Sequence, residues 1–168
     1  MLTIFRSYCS TAFLLQNGWN YHAAHAGAIL EFLIESYLFP HRKQHLSWIN
    51  YSGFLLVLLG QWMRSLSMIQ AANNFSHQVA SKKRQDHVLV KEGLYSIVRH
   101  PSYSGFFTWA VGTQILLGNP LCTPVFIAVL WKFFSSRIDA EEEYLVSFFG
   151  QEYRDYKKKV WSGIPLVH

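Results

Sequence analysis

Charge is what this chain is shortest of. Asp, Glu, Lys and Arg supply 15% of its 168 residues, where soluble domains average about 25%. Hydrophobic residues reach 51% and aromatics 17%. The deficit argues for a membrane protein with polar segments interleaved, since mean hydropathy is only +0.10. Cysteine is nearly absent: Cys9 and Cys122 both lie in apolar surroundings. That excludes a disulfide framework and leaves two small core residues. No glycine-rich phosphate loop, Ser-His-Asp layout, internal repeat or low-complexity run occurs. The net charge of +5 is not gathered into one stripe. Basic residues flank apolar runs instead, so an anionic membrane surface is the expected partner and nucleic acid is not. The opening MLTIFRSYCSTAFLLQ lacks the basic, apolar, small-residue order of a cleaved signal peptide, and so abrupt a start leads us to expect sequence upstream.

What the chain does have is apolar segments of spanning length. YHAAHAGAILEFLIESYLF (21–39) meets the roughly 20 residues needed to cross the hydrocarbon core. Its Glu31 and Glu35 are expected to face other helices, paired or protonated. Pro40 ends it. LSWINYSGFLLVLLGQWMRSLSMIQAA (46–72) reads as a second span, with Trp48 and Trp62 as interfacial anchors and Arg64 snorkelling to the surface. Residues 73–102 are polar, with HVLV before a KEG turn. YSGFFTWAVGTQILLG (103–118) and LCTPVFIAVLWKFF (121–134), joined at Asn119-Pro120, read as an antiparallel membrane hairpin. Gly105, Gly112 and Gly118 would let its helices approach closely.

The tail SSRIDAEEEYLVSFFGQEYRDYKKKV is helical by pattern. Ile138, Leu145, Phe148 and Phe149 mark its apolar side, Gly150 an interruption, and Lys157 to Lys159 an end suited to anionic headgroups. A hairpin returns the chain to its starting side, so the 73–102 loop and the tail share one face. They hold ten of the fifteen Lys and Arg, which assigns that face to the cytosol. The expected fold is all-α: one domain, 1–168, an integral membrane bundle of about four to five spans. Its parts are N-terminal spans (1–72), a cytosolic loop (73–102), the membrane hairpin (103–134) and an amphipathic cytosolic tail helix (135–168).

Arg99 and His100 stand directly before Pro101. Proline fits the first turn of a helix and holds the preceding residue extended. The free N–H groups and positive dipole end of that helix then point where Arg99 and His100 already are, which makes an anion site. The plainer reading is a positive-inside flank with proline as helix starter, and these residues alone do not choose. Arg137 and Glu141 lie one turn apart on the tail, on a face extended by Tyr144 and Phe148. They form either a surface ion pair worth roughly 0.3–0.5 kcal/mol or an inward face where a ligand uses both charges. His77, His87 and His100 lack the close spacing of a metal motif, and His22 with His25 reads as a polar pair inside a bundle; no metal is expected. Asn50 and Asn74 open glycosylation sequons that are expected to go unused.

RHPSYSG (99–105), an apolar hairpin with an NP turn and RIDAEEEYL (137–145) carry a resemblance. So do NNFSH (73–77), HVLVKEGLY (87–95), GTQILLGNP (112–120), FFGQEY (148–153), SGIPLV (162–167) and LEFLIESYLFP (30–40). Together they resemble the isoprenylcysteine carboxyl methyltransferases, integral membrane enzymes that use S-adenosyl-L-methionine. The Arg-His-Pro core occurs more widely among membrane methyltransferases; its combination with FFGQEY and SGIPLV is far more specific.

The resemblance implies that His87, Val88, Leu89 and Val90, with Tyr95, line the cofactor pocket in the 73–102 loop. His100, Pro101, Ser102 and Tyr103 would join them, and Glu141 from the tail. It implies that Arg137 holds the substrate carboxylate and that Arg99 assists it or braces the pocket, so Arg99 and Arg137 are the catalytic candidates. The chain departs from the family in having room for fewer N-terminal spans, and in Ala80 where some relatives place a polar side chain near the cofactor.

The activity so implied is methyl esterification of the C-terminal prenylcysteine carboxylate, farnesyl or geranylgeranyl, of prenylated proteins. The implied location is the endoplasmic reticulum membrane, multi-pass, with membrane lipid as a partner and the site facing the cytosol. Alternatives are another enzyme of similar build, such as a phospholipid N-methyltransferase or a sterol reductase, or a truncated, inactive membrane protein. A terminal carboxyl titrates near pKa 3.5, so the nucleophile is ionised at neutral pH and needs no general base.

Overall fold

A computed structural model of the protein describes residues 19–44, 47–76, 79–80 and 82–167. The opening stretch with Cys9, and His77, lie outside them. The described residues fold as α-helices without a named strand: α1 (Trp19–Leu38), α2 (Pro40–Gln44), α3 (Ser47–Ala71), α4 (Pro101–Leu117), α5 (Cys122–Phe149) and α6 (Gln151–Lys159). Helix α3 runs on into a 3₁₀ turn, Ala72–Asn74, and Gly93–Ser96 forms another. Among the described residues one helix, Ser47–Asn74, is long and apolar enough by length and composition to cross a membrane.

Helices α3 and α4 share the most extensive contact. Gly53, Gly60 and Ser67 recur every seventh residue on the buried side of α3, and Gly105 and Gly112 on that of α4. A seven-residue repeat keeps one seam facing its partner, and small residues let two backbones meet there. A Cβ on Gly53 would lie 2.2 Å from the Leu116 backbone N, one on Gly60 would lie 2.4 Å from that of Trp109, and one on Gly105 would lie 2.8 Å from that of Arg64. Gly118 acts differently from the sequence expectation. It sits at φ 64 and ψ 38, ending α4 through a bond from its own N–H to the Ile115 carbonyl.

The carboxylates of α1 are paired. Glu31 accepts from the Leu121 and Cys122 N–H groups, capping α5, while Glu35 lies 3.0 Å from Arg42 and 2.9 Å from Lys43. Lys43 donates onward to the Leu117 and Gly118 carbonyls. Arg64 turns inward instead of snorkelling, with Nη1 3.4 Å from the Ser102 carbonyl and its guanidinium over the Phe106 ring. His25 packs against Trp109 and Phe126. Asn50 donates to the Leu116 carbonyl, and Asn74 accepts from Val88 N–H, so both sequon side chains are engaged.

The expected boundary at residue 134 falls inside a helix: the second hairpin arm and the tail are one element, α5, of 28 residues. The sequence turns from apolar to charged there, which marks a change of surroundings and not the end of a helix. No glycine or proline interrupts residues 125–149. At 1.5 Å per residue α5 is about 42 Å long, well beyond the roughly 30 Å of a hydrocarbon core. Its C-terminal third therefore has room to stand clear of lipid. Two core clusters hold α5 in place: Phe126 with Ala28 and Ala110, and Phe134 and Ile138 with Ile164 and Val167.

Candidate functional site

The Arg-His-Pro segment is fixed before any side chain is considered. Pro101 starts α4 and His100 is its N-cap. Arg99 N–H donates to the Trp161 carbonyl (2.8 Å) and His100 N–H to that of Ser162 (3.2 Å). The C-terminal segment thus lies alongside the motif as a parallel bridge, Val98 to Trp161. Ile164 and Val167 anchor it in the core, and the Ser162 hydroxyl donates to the Val167 carbonyl.

Behind this backbone lies a buried ionic cluster. Arg99 is 6% exposed, and its Nε donates to Glu142 Oε1 at 2.6 Å and its Nη1 to the Val160 carbonyl at 2.6 Å. His100 places Nε2 3.1 Å from the same Glu142 oxygen, and Lys157 Nζ lies 2.5 Å from the other. Burial alone would raise the Glu142 pKa, but bonds with His100, Lys157 and Arg99 outweigh it and hold the carboxyl at about 2.

In front of the cluster opens a cleft. The expected cofactor residues meet there. His87, Val88, Leu89 and Val90 form one wall, with Tyr95 beside them. His100, Pro101, Ser102 and Tyr103 form another, and Glu141 closes it from α5. Arg99 lines it too, and its Nη2 is buried without a hydrogen-bond partner, as is Glu141 Oε2. Such atoms are costly to leave unsatisfied and mark where a polar ligand would bind. Burial, with Glu141 nearby, pushes the Tyr95 phenol up to about 12. Burial and then the cations Arg84 and Lys83 push the His87 imidazole down, while its ring packs edge-on against Phe148 and Phe149. Ala80 is exposed and does not line the cleft.

Arg137 is not a lining residue of the cleft. Its Nε donates to the Tyr103 hydroxyl at 2.9 Å, and its guanidinium covers the Tyr103 and Phe133 rings. It opens onto a separate groove with Val129, Lys132, Phe133 and Ser136. Tyr103 is the partition between the two. The face expected to turn inward through Tyr144 is half out of phase: Tyr144 is 39% exposed, and the buried stripe runs Phe134, Ile138, Glu142.

Sequence reasoning missed Glu142, Tyr153 and Tyr156, which build or line this site, and the backing that residues 161–167 give the Arg-His-Pro segment. The signal for Glu142 was the four-residue spacing from Phe134 and Ile138. Among the described residues, no group of three His, Cys, Asp or Glu side chains is placed to hold a metal.

Residues 53–147 match the isoprenylcysteine carboxyl methyltransferase (ICMT) family. The chain is 55% identical over 167 residues to protein-S-isoprenylcysteine O-methyltransferase of Saccharomyces cerevisiae, covering 94% of this chain and 68% of that protein. It is 46% identical to the protein of that name in Dictyostelium discoideum, covering 95% of this chain and 66% of the relative. A solved structure of the eukaryotic intramembrane Ras methyltransferase ICMT superimposes with a TM-score of 0.91 at 42% identity, covering 94% of this chain and 56% of that one. The chain thus spans between about half and two thirds of such proteins, and its cleft falls inside the shared part. It belongs to the isoprenylcysteine carboxyl methyltransferase family.

Proposed function

We propose that this chain carries the methyl-transfer site of a protein-S-isoprenylcysteine O-methyltransferase. It would esterify the C-terminal prenylcysteine carboxylate of prenylated proteins, farnesyl or geranylgeranyl, at the cytosolic rim of the endoplasmic reticulum membrane. The observation that carries this reading is the partition at Tyr103. A polar cleft with unsatisfied buried atoms lies on one side, and on the other Arg137 stands at a shallow, open depression on α5 beside Val129 and Phe133.

The residues present fit S-adenosyl-L-methionine. Glu141 Oε2 is an unsatisfied acceptor suited to an ammonium group, Arg99 Nη2 an unsatisfied donor suited to a carboxylate, and Val88, Leu89 and Phe149 offer apolar surface for a base. When bound, that cofactor supplies an electrophilic methyl group on a sulfonium.

The chain's own work is positioning. Arg137 matches a carboxylate in shape and stays charged, so it orients the nucleophile without giving up a proton. Tyr103 holds the guanidinium in place. Excluding water and aligning the two reactants can account for about 7–11 kcal/mol of a barrier at best. Arg99, occupied by Glu142 and Val160, braces the pocket rather than reaching the acceptor.

The test is transfer of labelled methyl to N-acetyl-S-farnesylcysteine by the chain in nanodiscs. Base-labile incorporation supports the reading. Base-stable incorporation into a lipid amine would replace it with phospholipid N-methylation, and no cofactor binding would leave an inactive membrane protein.

A further inference from the structure

Glu142 touches neither groove, yet it has the contacts of a residue that sets the chemistry of another. It is 3% exposed. Its Oε1 receives both Arg99 Nε and His100 Nε2, and its Oε2 faces Lys157 Nζ. Resting on the functional reading above, we propose that Glu142 is a positioning residue for the methyl donor: it locks the His100 imidazole with Nε2–H donated into the protein, so that Nδ1 is the ring nitrogen presented to the cleft.

A carboxylate flanked by two permanent cations accepts hydrogen bonds and does not donate them, so the ring nitrogen 3.1 Å from it carries the proton. The other ring contact cannot make this choice. His100 stacks on Tyr103 at 5.6 Å with planes 8° apart, and a half-turn of the imidazole about its bond to Cβ would keep that stacking while moving Nδ1 and Nε2 to where Cδ2 and Cε1 now lie. Of the two carboxylates beside the ring, Glu142 at 3.1 Å from Nε2 is within hydrogen-bond distance and Glu141 at 3.7 Å from Nδ1 is not, so Glu142 sets the orientation. With the ring so held, Nδ1 lies 3.7 Å from Glu141 Oε2, the buried oxygen without a hydrogen-bond partner. Nδ1 and Glu141 then form a two-point contact for the polar end of the donor. Second groups that orient a histidine in this way are a recurrent device. The groups facing the ring are Glu141 and Glu142 from α5, Tyr103 from α4 and, through Glu142, Arg99 with Lys157 and Tyr153 from α6.

The experiment uses the whole chain in nanodiscs, with S-adenosylmethionine affinity measured by equilibrium binding and both KM values followed from about pH 5.5 to 9. Glu142→Gln is expected to weaken donor binding about tenfold or more, to displace the pH profile of donor affinity, and to move the acceptor KM less than about threefold. Glu142→Asp should recover part of the loss. Lys157→Met takes a partner from the same carboxylate but leaves its contact with His100; it should lower Tm while donor KM moves less than about threefold.

A second pair of variants works even if Glu142→Gln fails to fold. The asparagine carboxamide reaches the Nδ1 position, where its oxygen can accept as an unprotonated Nδ1 does, whereas that of glutamine reaches only towards Nε2, so His100→Asn should bind the donor several-fold more tightly than His100→Gln. The reverse order overturns the proposal. So does a Glu142→Gln protein that loses Tm but keeps donor affinity and its pH profile, since Glu142 is then scaffold alone. A wild-type chain that binds no donor refutes the functional reading instead.

Discussion

Acid should destabilise this fold through Glu142. Its carboxyl is held at about 2, below the ordinary 4.5, so above roughly pH 5 it is ionised in both folded and unfolded chains and its stabilisation is fully present. As pH falls from about 4.5 towards 2, the unfolded chain takes up a proton that the folded one does not, and stability is lost. The amount is on the order of 3 kcal/mol. Thermal unfolding in nanodiscs should therefore show Tm falling below about pH 4.5, with that part of the slope gone in Glu142→Gln. Arg99→Met at pH 7 is expected to cost about 1.5–3 kcal/mol, because it removes one charged hydrogen bond from a buried carboxylate that keeps Lys157 and His100. On the substrate side, Arg137→Ala should raise acceptor KM about tenfold or more while donor affinity stays within about threefold. Collapse of donor affinity in that variant would show that the two grooves are not separate.

The sequence left Arg99 and His100 open between an anion site and a positive-inside flank; both line the cleft. What it could not supply was the partner of Arg99. The run Glu141-Glu142-Glu143 offers three carboxylates within one turn, and only the rotational phase of the helix says which is buried. Phase taken from Tyr144 and Phe148 points to Glu141; phase taken from Phe134 and Ile138 points to Glu142. Both are right for different neighbours, the cleft and the ionic cluster.

At the scale of elements, the seam between α3 and α4 is the most exacting contact. The glycine spacing was visible along α4, but its complement on α3 was not, because seven-residue glycines among leucines look like ordinary span composition until the two helices are side by side. Gly60→Ala would drive a Cβ to 2.4 Å from the Trp109 backbone N, where no side chain can yield. We expect a loss of at least about 1–3 kcal/mol, the usual range for overpacking. Gly27→Ala, with nothing within 4 Å of its Cβ, should be neutral or slightly stabilising. Parallel Tm measurements compare the two. The C-terminal segment is an element of the site although it has no regular structure. It supplies carbonyls to Arg99 N–H and His100 N–H and buries Ile164 and Val167. Its sequence carries no periodicity, so nothing but resemblance could have marked it. Deletion of residues 161–168 should abolish donor binding while membrane insertion persists, read by equilibrium binding and by fractionation.

At the scale of the whole molecule, the exposed surface divides by chemistry. Leu30, Leu33 and Ile34 on α1, Phe54, Leu55 and Leu58 on α3, and Val125, Ile127 and Val129 on α5 are all exposed. Apolar area of that extent is not left to water; it suits lipid or neighbouring spans. The groove of Arg137 begins among these apolar residues at Val129 and Phe133, whereas the cleft behind Tyr103 is walled by the polar loop and α6. A prenylated acceptor would therefore be delivered along the membrane plane and the donor from water. This arrangement has a kinetic signature. For a lipid-borne acceptor the rate follows its density in the bilayer, not its amount per volume. Adding empty phospholipid to reconstituted vesicles, at fixed bulk acceptor and enzyme, should lower the rate roughly in proportion to the dilution while donor KM stays constant. A rate indifferent to added lipid would mean that the acceptor arrives through water, and Arg137 would then need an approach other than this groove.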